Sequence, residues 1–156
     1  QNSPLGWMIW NADRCDIDLH NFVKKLILIR KELPELFSPE KFIQEIPQQT
    51  GNDLWVEWHG IKLGKPDWGS WSHTISYSIN LGSKGSIAWI GLNAYDQSMN
   101  FELPKSKSKW VKIIDTSIVK EEVFSEEPAQ NQENIQLENR SMVLMITDED
   151  YKRLRN

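Results

Sequence analysis

The sequence predicts a mainly β chain, an antiparallel β-sandwich preceded by one amphipathic α-helix. Two observations carry that expectation. The hydrophobic period is 3.6 residues over one N-terminal stretch and changes to 2 from Leu54 onward. About seven short strand-like runs with turn signals between them then fill roughly 95 residues, the pattern of a sandwich rather than of alternating strands and helices. At 156 residues the chain suits one domain with an appendage.

Residues 1–12 mix Gly, Pro, Asn and Trp and read as a loop, with Trp7 and Trp10 anchoring it against the helix or the sandwich. The helix reads over residues 16–33. Leu19, Phe22, Val23, Leu26, Arg30 and Leu33 recur at helical spacing, and Ile27 and Ile29 widen the apolar stripe. Asp16 or Asp18 suits its N-cap. Lys24, Lys25, Arg30 and Lys31 lie toward the C-terminal half, where the dipole favours cations. Pro34 ends it, because the residue before a proline is pushed out of the helical region. Residues 35–53 are a connector rich in Pro and Gln.

In LWVEWH, Leu54, Val56 and Trp58 share one face, and Trp55, Glu57 and His59 the other. In HTISYSINL, Ile75, Tyr77, Ile79 and Leu81 oppose Ser76, Ser78 and Asn80; GSKG then turns the chain into a hairpin. SIAWIGLNAY is nearly all apolar, so both of its faces should be covered. MNFEL, WVKII and SMVLMI are strand-like, and SIVKEEVF is a further candidate. SEEPAQNQEN reads as a polar loop and YKRLRN as a charged tail.

A net charge of −4 provides no basic field for nucleic acid or anionic lipid. The single cysteine, Cys15, excludes an intrachain disulfide, a zinc knuckle and a redox pair, and favours a reducing, cytoplasmic setting. The apolar runs are too short to span a bilayer. The first residues carry no basic leader and no initiator Met, so a truncated or processed end is expected.

Candidate chemistry is sparse. Asp13, Asp16 and Asp18 suit capping and dipole complementation better than a metal or acid site. Glu121, Glu122, Glu126 and Glu127 read as a solvated acidic stretch. His20, His59 and His73 have no ligand spacing, Cys15 has no partnering His motif, and no phosphate-binding glycine loop exists. No catalytic, metal or cofactor residue is assigned. Lys105, Lys107 and Lys109 form a hydrated turn. Trp58, Trp89 and Trp110 sit in strand patterns and are expected in the core. Trp68 and Trp71, in the Gly/Ser-rich loop GKPDWGSWSH, are the candidate sugar-binding residues. An exposed indole face can stack on the C–H groups of a pyranose; the bland alternative is that they cover the end of the sandwich.

Taken in order, several short motifs resemble the end of an isoamylase-type enzyme of glycoside hydrolase family thirteen, the group of bacterial glycogen debranching enzymes and of plant and cyanobacterial isoamylases. They are Gln1 and Asn2 with GWMIW (Trp7, Trp10), FVKKLILIRKELPEL (Arg30, Pro34), VEWHG (Val56, Trp58, His59, Gly60) and PDW (Pro66, Asp67, Trp68). Asn93–Ala94, Leu103–Pro104, Trp110 with Asp115–Thr116, and Arg140–Ser141 continue the series. The resemblance runs from residue 1 to about residue 147, and no single motif is specific.

The resemblance implies that residues 1–45 are the loop and last helix of a catalytic (β/α)8 barrel and that residues 46–156 are the C-terminal sandwich. The catalytic carboxylates of that family precede these segments, so none transfers to a residue here. A barrel alone needs about 250 residues. The implied parent activity is hydrolysis of α-1,6 branch linkages in glycogen or starch through a covalent glycosyl-enzyme intermediate, with this chain structural or accessory and no cofactor. The implied partners are an α-glucan and the barrel of the same polypeptide. The barrel would meet Leu19, Phe22, Val23, Leu26, Ile27 and Arg30; without it, that helix either folds back on the sandwich or drives self-association into a homo-oligomer. The rival reading is a stand-alone α-glucan-binding module working through Trp68 and Trp71.

Overall fold

The computed structural model describes residues 17–37, 54–118, 129 and 131–155. The expectations for Trp7, Trp10, Cys15, Asp13, Asp16, the acidic stretch 121–127, most of SIVKEEVF and the boundary near residue 45 lie outside the described residues.

The chain order is helix α1 (Ile17–Glu32), a 3-10 turn over Pro34–Leu36, strands β1 (Leu54–His59), β2 (Thr74–Leu81), β3 (Gly85–Asn93), β4 (Met99–Glu102), β5 (Trp110–Asp115), β6 (Asn134–Leu137) and β7 (Ser141–Thr147), and helix α2 (Asp148–Arg155). Five strands form one antiparallel sheet in the order β1-β2-β3-β7-β5, and β4 and β6 form a second, two-stranded sheet. The expected mainly antiparallel β fold with a helix ahead of the strands is therefore present.

Two cores lie on opposite faces of the five-stranded sheet. On one face the register lines up Val56, Ile79, Ala88, Ile146 and Val111 across the strands, and next to them Trp58, Tyr77, Ile90, Leu144 and Ile114. Ile29 of α1, Leu33 just after it, and Tyr151 and Leu154 of α2 pack into that row. On the other face Trp89, Val143, Met145 and Trp110 meet Phe101, Leu103 and Leu137 from the second sheet and its flank. Trp89 sets its edge against Phe101, with ring centroids 5.9 Å apart. Gly91 makes room for that indole: a Cβ there would stand 2.3 Å from Cη2 of Trp89. β3 is covered on both sides, as its near-continuous apolar run predicts.

Three sequence expectations need correction. Trp58 is not core but 46% exposed, whereas Trp55, its neighbour of opposite facing, is buried. Among the described residues β1 is an edge strand, and alternation says which residues share a face, not how far that face is covered. In β2, where the pattern set two faces apart without saying which is covered, the polar residues are buried while Ile75 and Tyr77 stay half-buried. β6, absent from the strand reading, begins where the polar loop was expected to end.

The third correction is the charged tail, which belongs to helix α2. Thr147 Oγ1 accepts from the Asp150 N–H and donates to the Asp150 carboxylate, a reciprocal cap at the N-terminus. Arg153 then joins Glu35 and donates to the Glu32 carbonyl, tying α2 to the end of α1. With only Tyr151 and Leu154 apolar and buried, eight residues give too little periodicity to announce a helix.

Lys25 of α1 is buried, and that burial pulls its ammonium down to about 8.

Candidate functional site

The residues in the shared motifs act mostly on one another. His59 is buried at the end of β1. Its Nδ1 accepts from the Gly64 N–H at 2.9 Å, so in the neutral ring Nε2 carries the proton and donates to Ser78 Oγ at 3.0 Å. Asn80 Nδ2 donates to the same hydroxyl, and Ser86 Oγ donates to Asn80 Oδ1 at 2.6 Å. Ser76 Oγ donates to the Gly60 carbonyl. This chain of side chains explains how the polar face of β2 can be buried: each group has a partner. Burial pushes the His59 imidazole below its usual range, against a smaller upward pull from Glu57.

Asn93 ends β3 and donates through Nδ2 to the Gln97 and Glu138 carbonyls at 2.9 Å, while its Oδ1 accepts from the Tyr95 N–H. Trp110 Nε1 donates to the Pro104 carbonyl at 2.9 Å. Gln132, which no motif singles out, accepts from the Trp110 N–H and donates to the Ala129 carbonyl. Asp115 accepts from Ser117 and pairs with Lys112. Burial pushes its carboxyl up, but those partners outweigh burial and hold it below the usual carboxylate value. Thr116 bridges to Met142 in both directions, and Ser141 Oγ donates to the Glu138 carbonyl. Ser106, in the Lys105–Lys109 turn, donates to the Ser86 carbonyl. These positions hold loops and sheet ends. None of them offers a pair of free carboxyls across an opening.

The outward-looking chemistry is aromatic. Trp68 is 65% and Trp71 76% exposed, as the Gly/Ser-rich loop predicts. Trp58 joins them, its centroid 5.6 Å from Trp68 at 70° and 5.1 Å from Tyr77. Trp58 and Tyr77 also border an apolar cavity of about 310 Å³ shared with Leu36, Leu54, Trp55, Val56 and Ile79. The loop is held by Asp67 Oδ1, which accepts from the Gly69 N–H at 3.0 Å, and by the Ser72 N–H donating to the Gly69 carbonyl. The Trp71 ring lies against Gly69, where a Cβ would come within 2.8 Å of it. Nearby, exposed His73 stacks on Tyr95 with centroids 6.0 Å apart.

The second outward surface is on α1. Leu19, Val23, Leu26, Ile27 and Arg30 are exposed along one flank of the helix, Ile27 by 50%. Phe22, grouped with them by spacing, instead turns inward onto the sheet core. The apolar stripe of α1 is thus wider than the part that the sheet and α2 cover among the described residues. Among the described residues no helix is long and apolar enough to cross a membrane.

Residues 57–154 match the family described as Isoamylase 1-3, C-terminal. The chloroplastic isoamylase SU1 of Zea mays is 27% identical over 100 residues, covering 64% of this chain and 11% of that protein. An isoamylase of Flavobacterium sp is 23% identical over 126 residues, covering 74% of this chain and 16% of that protein. The chain therefore spans a small part of the length of these relatives. Since the family match takes in both sheets and α2, the chain belongs to the isoamylase C-terminal domain family.

Proposed function

We propose that this chain is the C-terminal domain of a debranching enzyme that hydrolyses α-1,6-glucosidic linkages in glycogen or starch in the cytoplasm, and that its own part is structural and accessory. The observation that carries the reading is the apolar flank of α1 that stays exposed beside the stripe meeting the sheet, in a domain whose motif residues bond internally. A helix with so wide an apolar stripe belongs against two layers. The sheet and α2 supply one. A catalytic barrel in the same polypeptide supplies the other, against Leu19, Val23, Leu26 and Ile27, with Arg30 at the rim. Retaining glycoside hydrolysis needs two carboxyls about 5 Å apart, one of them with a raised pKa. The partners of Asp115 lower its pKa, the opposite of what a general acid requires.

The test is release of reducing ends from glycogen and β-limit dextrin. The polypeptide carrying this domain behind a barrel is expected to release linear chains, and the 156-residue chain alone to release none. Turnover by the isolated chain, or cleavage of only α-1,4 bonds by the longer polypeptide, contradicts the proposal.

A further inference from the structure

We propose that Trp58, Trp68 and Trp71 form a stacking surface for a linear α-glucan chain, a binding site separate from any catalytic cleft; this rests on the debranching reading above. The three indoles are exposed on one strand end and the loop that follows it. Exposed tryptophan is costly to maintain, and a group of three points to something that covers them.

Their mounting favours a flat ligand. Trp58 is held by ring contacts with Trp68, edge-on at 70°, and with Tyr77, tilted at 53°, so little side-chain freedom is lost when a sugar covers its free part. The Trp71 ring rests with one side on Gly69, which lacks the Cβ that would lift it, while most of the ring stays in solvent. The residues between Trp68 and Trp71, Gly69 and Ser70, are too small to overhang either ring. The neighbouring charges, Glu57, Lys62, Lys65 and Asp67, cancel, so nothing here favours a polyanion such as nucleic acid. A neutral, polyhydroxylated polymer with C–H faces suits indoles of this kind. β1 is an edge strand among the described residues, so a polymer can pass the indoles without entering a closed pocket.

The test uses the full chain in native gels cast with glycogen, and calorimetric titration with maltoheptaose and with cellohexaose. The expected result is retardation by glycogen, binding of maltoheptaose, and no binding of cellohexaose. The double variant Trp68→Ala, Trp71→Ala is expected to bind roughly tenfold more weakly or worse, with an unchanged circular dichroism spectrum and melting temperature. If the double variant does not fold, Trp71→Ala alone is read in its place. A wild-type chain that glycogen does not retard, equal binding of cellohexaose, or undiminished binding by the folded variant overturns the proposal; the last result assigns the indoles to a protein partner. Debranching by the longer polypeptide is scored separately. Activity without binding at this surface sinks only the stacking proposal, and binding without activity sinks only the debranching reading.

Discussion

Trp110→Ala is expected to lower the unfolding free energy by about 3–5 kcal/mol, near the largest loss a single truncation in this chain can produce. Trp110 is 1% exposed and fills the space between the five-stranded sheet and the smaller one. Truncation removes the indole from contact with Leu103 and Met145 and leaves the Pro104 carbonyl without its donor. Its backbone also anchors Gln132 and Ala129, so the approach to β6 should loosen as well. Chemical denaturation measures the loss, and hydrogen exchange should show β4 and β6 losing protection before β3 and β7. Trp68→Ala is the control. That side chain is mostly in solvent, and the change should stay within about 0.5 kcal/mol.

The second large effect belongs to His59. His59→Ala strips the Gly64 N–H of its acceptor and Ser78 of one of its two donors inside a buried network, and is expected to cost about 2–4 kcal/mol at pH 7.5. It should also change the pH profile. The folded pKa of His59 lies below the unfolded value of 6.5. Above 6.5 the ring is neutral in both states and its contribution is complete. As pH falls below 6.5 the unfolded chain takes up the proton first, so stability declines until the folded pKa is passed. Burial is the cause of the lowered pKa, and protonation would also cost the bond from Gly64, since a protonated Nδ1 cannot accept. Denaturation midpoints between pH 7.5 and pH 5 should fall for the wild type and be flatter for His59→Ala. Equal slopes would show that other groups cause the decline.

Much of this fold could be read from the sequence because alternation is a geometric signal. Ile75, Tyr77, Ile79 and Leu81 share a face in the structure as they do in the pattern, and the Gly82–Lys84 turn joins β2 to β3 where GSKG predicts it. Alternation does not report what lies over each face. The serines of β2 look like a solvent face, yet they are buried because His59, Asn80 and Gly60 satisfy them. β6 escaped notice because NIQL is four residues long and mostly polar. Its contribution is Leu137, fully buried under a sheet that only tertiary packing assembles. The exposure of Trp68 and Trp71 followed from small, turn-forming neighbours. That of Trp58 did not, since its strand pattern matches that of buried Trp89. At α1 the helical stripe was evident, but its division into a covered part with Phe22, Ile29 and, just past the helix, Leu33, and an exposed outer flank with Leu19, Val23, Leu26 and Ile27 needed the position of the sheet.

Ile27→Lys tests most directly whether the outer side of α1 is an interface with a catalytic barrel. In the isolated chain Ile27 is half in solvent, and the change should move the unfolding free energy by no more than about 0.5 kcal/mol. In the longer polypeptide the same charge would be buried between helix and barrel, and the loss should exceed about 2 kcal/mol, with debranching activity falling in parallel. Equal, small effects in both forms would contradict the account, because they would leave this helix with nothing against its outer side.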